Sequence, residues 1–235
     1  MIADTMHAPV LSAAAWQQID TVLLDLDGTL LDLAFDSHFW GELIPAQWAQ
    51  RHAITLEQAR AELRPRFAAR EGTLEWYCIE YWSRELQIDI RALKQNLAHR
   101  IRWLPGAREF LQRVRMLHKR LVLITNAHPT TLAIKDARTE VISYFDAGFS
   151  SHAFGAPKEH PQFWCELAKV ESFDPERSLF VDDSLNVLLA ARDAGVGLIY
   201  AVRKPDSSSD ARTQRDFPAV DSIAELLPDG PAGAD

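Results

Sequence analysis

Four short stretches of the chain are apolar almost without interruption: TVLLDL over residues 21–26, LVLIT over 121–125, SLFVD over 178–182 and GLIYAV over 197–202. Strands buried on both faces read this way, whereas a half-exposed strand alternates, so the pattern predicts a parallel sheet. Apolar positions at three-and-four spacing over 107–117, 161–170 and 185–194 predict helices between these strands. The alternation is that of βαβ units. A short helix is predicted near 223–227, after a polar, turn-rich loop that begins RKPDSSSDARTQRDFP.

The rhythm breaks between about residues 35 and 103, where no comparable strand occurs. Leu56, Ala59, Leu63 and Phe67 share one helical face; Leu74, Tyr77, Cys78, Tyr81 and Trp82 make a second stripe; Ile90, Leu93, Leu97 and Ile101 make a third. This is an all-helical insert, and Leu104-Pro105-Gly106 marks its exit. Five of the seven tryptophans fall within it: Trp40, Trp48, Trp76, Trp82 and Trp103. Large rings can build a small bundle core or stack on a flat ligand, and the pattern leaves both open. The expected division is a flexible leader over 1–18, an α/β core from 19–33 and 104–228, the helical insert over 34–103, and a flexible tail over 229–235.

At 235 residues and 47% hydrophobic the chain can bury a substantial core. Its net charge of -8 argues against broad attraction to nucleic acid polymers or an anionic membrane. It does not exclude an anion bound locally, which needs only a few N–H groups, a lysine and a cation. Cys78 and Cys165 lie far apart without metal-ligand spacing, which suggests neither a disulfide framework nor a zinc site. With no signal-like start and no bilayer-length apolar run, the expectation is a soluble, cytoplasmic protein with no membrane association and no obligate protein partner.

Four polar constellations fall at or just after predicted strand ends. Asp25 and Asp27, in D-L-D-G-T-L, are two apart, so they leave the first strand on one face; alternatively Asp27-Gly28 is only a turn. One carboxylate can attack phosphorus while the other protonates a leaving alcohol. Thr125-Asn126 follows the second strand, where a hydroxyl and backbone N–H suit a phosphate oxygen, or a helix cap. Lys158, in F-G-A-P-K-E, could neutralise charge as it develops, or be a solvated loop lysine. Asp182-Asp183 ends the third strand; adjacent acids there are costly without a compensating cation such as magnesium, although Asp183 or Ser184 could instead cap a helix. His128 is expected at the periphery or surface rather than as a ligand.

Together, D-L-D-G-T-L, T-N, the lysine of G-A-P-K and V-D-D-S resemble the ordered motifs of the haloacid dehalogenase-like hydrolase superfamily, and the insert resembles its small helical cap. The resemblance spans about residues 21–202. It implies an α/β fold with a Rossmann-like parallel sheet core and a helical cap inserted after the first strand. It further implies a phosphomonoester hydrolase with Asp25 as nucleophile and Asp27 as acid/base. Mg²⁺ would be held by the Asp25 carboxylate, the Asp27 main-chain carbonyl and an acid of the Asp182-Asp183 pair, Asp183 ahead of Asp182. Thr125, Asn126 and Lys158 would bind the phosphoryl group. L-L-D-L-A-F-D, W-Y-C, T-N-A-H-P and V-D-D-S resemble more narrowly the GMP/IMP nucleotidase subgroup, implying a small phosphorylated partner, a purine mononucleotide. Many relatives carry an acid four residues after the metal-binding aspartate; here that position is Val187.

A phosphatase or phosphomutase of sugar phosphates shares both aspartates and is an alternative, as is a non-enzymatic metal- or phosphate-binding module. No G-x-x-x-x-G-K-[ST] loop, G-x-S-x-G elbow, H-E-x-x-H helix or complete dinucleotide fingerprint occurs.

Overall fold

The computed structural model of the chain describes residues 11–228. Six parallel strands form one sheet: β1 (Thr21–Leu24), β2 (Arg120–Thr125), β3 (Ala147–Ser150), β4 (Ser178–Asp182), β5 (Leu198–Val202) and β6 (Ala219–Val220). Their order is β3-β2-β1-β4-β5-β6. The chain steps outward from β1 in one direction, then returns to β4 and steps outward in the other. The reversal lies between β1 and β4, where an open α/β sheet leaves a crevice beyond its strand ends. The predicted Rossmann-like sheet is thus present, with two strands its apolar runs do not reveal: the edge strand β3, interrupted by Gly148, and the two-residue β6.

Both faces of the sheet are covered. Val22, Leu24, Leu121, Leu123, Leu179 and Val181 point into one apolar cluster, while Leu23, Val122, Ile124 and Phe180 point into another. This is the two-residue periodicity of strands, hidden in the sequence because both faces are dry.

The helices are α1 (Ala13–Gln18), α2 (Ala34–His38), α3 (Ile44–His52), α4 (Leu56–Ala68), α5 (Leu74–Tyr77), α6 (Ile79–Leu86), α7 (Ile90–Asn96), α8 (Ala107–Met116), α9 (Pro129–Thr139), α10 (Pro161–Val170) and α11 (Leu185–Asp193). α2 runs into α3 through a wide helical turn, Phe39–Leu43. α2 to α7 form the helical cap, with a separate apolar centre that includes Phe39, Ile44, Trp48, Leu63, Trp82 and Ile90. The chain enters and leaves it side by side, where Asp32 N–H donates to Arg102 O (2.9 Å) and Leu104 N–H to Leu30 O (2.8 Å).

Three expectations change. Within the expected flexible leader, residues 13–18 are a helix: Ser12 caps it, and Trp16 is buried, its indole N–H donating to Leu226 O at 2.8 Å. The apolar ring supplies the anchoring that a polar leader lacks. Residues 1–10 and the tail 229–235 lie outside the described residues. The stripe from Leu74 to Trp82 is not one helix, because Cys78 is extended (φ -86°, ψ 109°) and separates α5 from α6. Trp103 packs edge-on against Tyr144 and the sheet's core rather than in the cap's centre.

Candidate active site

Asp25 follows β1, and its N–H donates to Val181 O of β4 at 3.1 Å, continuing the sheet pairing one residue beyond the strand. The chain then turns sharply, with Leu31 N–H bonded to Leu26 O and Gly28 N–H to Leu31 O (2.8 and 2.7 Å). The Asp-Gly pair does make a turn, but one that leads into the cap. Gly28 sits at φ +89°, and a Cβ there would lie 2.7 Å from Asp183 Cγ and 2.9 Å from Pro205 Cβ. Glycine therefore lets this turn close onto the Asp182-Asp183 loop.

Thr125 ends β2 and Asp182 ends β4, so Thr125, Asp25 and Asp182 stand at the carboxyl ends of three adjacent strands. Lys158 reaches them from the loop before α10. Its ammonium donates to Asp25 Oδ1, to Asp182 Oδ2 (2.7 Å) and to Ile124 O (3.2 Å), which uses all three of its protons. Its main chain is fixed as well: Asn126 Oδ1 accepts from Lys158 N–H at 2.9 Å, and Lys158 O accepts from the Trp164 indole at 2.8 Å. Burial disfavours the charged amine, but Asp182 and Asp25 outweigh it and hold Lys158 above the ordinary lysine value. The solvated-loop reading of Lys158 is excluded by its 2% exposure.

Asp27 lies in the same cavity but on another lysine. Lys135 of α9 donates to Asp27 Oδ1 at 2.6 Å and to Asp36 Oδ2, while Lys94 of α7 donates to Asp36 Oδ1 at 2.6 Å. Burial pushes the Asp27 carboxyl up to about 6, with Lys135 opposing and Asp36 and Asp25 adding. Burial also pushes Asp36 up, but there Lys135 and Lys94 win and hold it far below the usual carboxylate range.

Carboxylate oxygens of Asp25, Asp182 and Asp183 lie within 4.8 Å of one another. Burial, then Lys158 in opposition and Asp182 in support, leaves Asp25 raised to about 6. Burial with Asp182 and Asp25 pushes Asp183 up to about 8, against Arg212, whose Nη1 donates to Asp183 Oδ2 at 2.7 Å. Acids so crowded resist ionising together unless a cation joins them. Hard oxygen donors in this arrangement suit Mg²⁺. Asp27's carboxylate, turned toward Lys135, is outside the group.

Asp25, Asp27, Thr125, Asn126, Lys158, Asp182 and Asp183 all line one cavity of about 620 Å³. Asn126 does not cap a helix; His128 caps α9, with Nδ1 accepting from Thr130 N–H at 3.2 Å. Asp182 Oδ1 instead accepts from Ser184 N–H at 2.8 Å. The cavity is lined as well by aromatic side chains of the cap, among them Trp40, Phe67, Trp76 and Tyr77, and by Arg212, Thr213 and Gln214. Tyr77 O–H donates to Glu159 Oε1 (3.0 Å), and Asn126 Nδ2 donates to Glu159 Oε2 (2.9 Å), which links the cap to the strand ends. The tryptophans divide: Trp48 and Trp82 are buried in the cap's centre, and Trp40 and Trp76 are partly exposed to the cavity.

Lys135, Asp36, Lys94, Arg212 and Glu159 are additions that sequence reasoning misses. Lys135 carries one usable signal, since it shares a helical face with Thr131 four residues earlier, and both are buried.

The model of the haloacid dehalogenase-like hydrolase family matches residues 19–195. This chain belongs to that family. It is 38% identical to the GMP/IMP nucleotidase of Escherichia coli (strain K12) over 214 residues, 91% of this chain and 96% of that protein. It is 31% identical to a phosphoglycolate phosphatase of Nitrosospira multiformis over 198 residues, 81% of this chain and 83% of the relative. The crystal structure of a HAD phosphatase from Thermococcus onnurineus superposes with a TM-score of 0.73 at 19% identity, covering 88% of this chain and 96% of that one. The chain is a hydrolase, and both curated relatives described here are phosphoric monoester hydrolases.

Proposed function

We propose that this protein is an Mg²⁺-dependent phosphomonoesterase that works through an aspartyl-phosphate and takes purine nucleoside 5′-monophosphates. The observation that carries the reading is the fixing of Asp25 at the sheet's reversal point by a buried lysine shared with Asp182, with Asp27 in the same cavity on a different lysine.

In this reading an Asp25 oxygen forms a bond to phosphorus as the ester oxygen leaves. Asp27 gives that oxygen its proton, then takes one from water as the water attacks the aspartyl-phosphate and releases Asp25. A carboxyl raised to about 6 is suited to both directions of transfer near neutral pH. Lys158 keeps Asp25 oriented, and with its three protons already placed its positive charge acts on the phosphoryl oxygens through space, while Thr125 offers a hydroxyl contact. Asn126 acts through Lys158, because its side chain is committed to the Lys158 N–H and to Glu159.

Asp25, Asp183 and the Asp27 main-chain carbonyl would hold Mg²⁺, which when bound offsets the repulsion between an anionic nucleophile and an anionic substrate. Asp183 is favoured over Asp182 because both Asp182 oxygens already accept hydrogen bonds. The nucleotide reading is supported by the 38% identical relative and by the aromatic side chains that line the cavity, of which Trp40 and Trp76 could stack on a base. A phosphate-release screen with Mg²⁺ over nucleoside monophosphates, sugar phosphates and small phosphoacids tests it. The expected result is fastest turnover of GMP and IMP, and a clear preference for a sugar phosphate would overturn the substrate assignment.

A further inference from the structure

A second group of metal-type donors assembles across the junction of cap and core. Cys78 caps α6, its Sγ accepting from Tyr81 N–H at 3.4 Å. His128 caps α9, and His152 lies in the turn Ser151–Ala153 that follows β3. One donor atom from each of these three residues falls within 4.8 Å of the others. Glu80 adds a fourth, with Oε2 at 2.8 Å from His128 Nε2 and 3.8 Å from Cys78 Sγ. The two imidazole rings meet edge to face at 4.7 Å.

One further observation points to a ligand. His152 Nε2 is buried with no hydrogen-bond partner, and a buried polar atom left unmatched is costly. Two imidazoles and a thiolate, with one carboxylate, are a donor set that Zn²⁺ takes in tetrahedral geometry, and the nitrogen and sulfur donors are a poor set for Mg²⁺.

We propose that Cys78, Glu80, His128 and His152 form a metal site for Zn²⁺ or a similar borderline ion, separate from the Asp25 centre and bridging the cap to the core. Cys78 and Glu80 come from the start of α6, whereas His128 and His152 come from loops beyond β2 and β3. An ion held there ties the two parts together at the edge of the cavity. On loading, the Cys78 thiol gives its proton to solvent and its sulfur lone pair to the metal. His128 Nδ1 accepts from Thr130 N–H, so the ring proton sits on Nε2 and is donated to Glu80. Ligation through Nε2 moves that proton to Nδ1, gives up the Thr130 bond, and turns the Glu80 oxygen from acceptor to ligand. With metal bonds of about 2.0–2.3 Å, tetrahedral donors stand about 3.3–3.7 Å apart, so the widest pairs must close while Glu80 and His128 open from 2.8 Å.

The site is tested by titrating the full-length protein with Co²⁺ in the presence of saturating Mg²⁺ and recording its absorption. Wild type is expected to bind one equivalent with tetrahedral visible bands and a sulfur-to-cobalt charge-transfer band, both bleached by Zn²⁺. Cys78→Ser, which retains a capping oxygen, should lose the sulfur band, and His152→Ala should weaken binding by at least about tenfold. Zn²⁺ should raise the melting temperature of wild type but of neither variant, while all three melt alike without it. Weak octahedral bands alone in wild type, or a sulfur band that survives in Cys78→Ser and so belongs to Cys165, would overturn the proposal. A Zn²⁺-induced rise in melting temperature that both variants retain would overturn it as well.

Discussion

Of the three buried lysines that line the cavity, two bond to Asp25 or Asp27, and their surroundings are built differently. Lys158 bonds to Asp25, Asp182 and Ile124 O, all at the ends of adjacent strands in one sheet. Lys135 bonds to Asp27 and to Asp36, and Asp36 is held in turn by Lys94, whose ammonium lies over the Phe39 ring at 4.5 Å. The three partners of the Lys158 ammonium all belong to the core, and the cap reaches this cluster only indirectly, through Tyr77, Glu159 and Asn126. The second runs from Asp27 into α2 and α7, so the cap reaches Asp27 directly through Lys135 and Asp36. In the proposed mechanism the attacking group is therefore held by the core, and the proton-transferring group is held jointly with the cap.

Breaking the core-held cluster should cost most. Lys158→Met is expected to lower kcat by about a thousandfold, the upper range for losing one preorganised donor. Steady-state phosphate release against urea unfolding of the same sample would separate this from the loss of stability caused by two uncompensated carboxylates. The shared cluster should be more tolerant. Lys135→Met removes one partner of a buried network and should cost about 3 kcal/mol in urea unfolding, the lower end for such a change, because Lys94 still holds Asp36. It should also move the alkaline limb of the kcat profile upward, where Asp27 as general acid loses its proton, whereas Lys158→Met should move the acid limb upward, where Asp25 gains one; the same limb moving in both variants would erase the distinction.

Among the aromatic side chains that line the cavity, Trp76→Ala should weaken nucleotide binding by about 1–3 kcal/mol, seen as a raised KM, with little change for a small phosphoacid that has no base to stack. A KM that rises equally for both would show that Trp76 only supports Phe67, against which it packs edge-on at 6.3 Å.

The smallest expected effect is a pH dependence. A carboxyl raised in the folded state binds more protons there than in the unfolded chain, so it lowers stability as pH rises from the ordinary value of 3.8 toward the raised one. Asp25 at about 6 and Asp183 at about 8 place this loss between about pH 4 and 8 in the metal-free protein. Mg²⁺ reverses it by favouring the ionised forms. The rise in melting temperature on adding Mg²⁺ should therefore be larger at pH 8 than at pH 5, and Asp183→Asn should flatten the difference.

The contrast also explains what was legible in the sequence. Each residue of the Lys158 cluster sits at a strand end, so local apolar runs mark Asp25, Thr125 and Asp182, and Pro157 and Gly155 flag the loop that carries Lys158. The Lys135 cluster spans residues 27, 36, 94 and 135, and no local pattern couples them. A helix after β2 is implied only by the capping alternative for Thr125-Asn126, and neither the extent of α9, which His128 caps, nor the face that carries Lys135 follows from it. Arg212 lies in the polar run after β5, where a guanidinium that folds back onto Asp183 cannot be told from a solvated one. Cys78 and Cys165 gave no zinc spacing because the candidate partners of Cys78, His128 and His152, come from other parts of the chain.

The central claim, that Asp25 carries the phosphoryl group, is tested most directly by quenching the enzyme in acid during turnover of GMP with Mg²⁺ and reducing the trapped species with borohydride. An aspartyl-phosphate at position 25 would be recovered as homoserine in the peptide that contains residue 25, and Asp25→Asn would yield none and release no phosphate. Turnover with no modification at Asp25, or near-normal phosphate release by Asp25→Asn, would contradict the account.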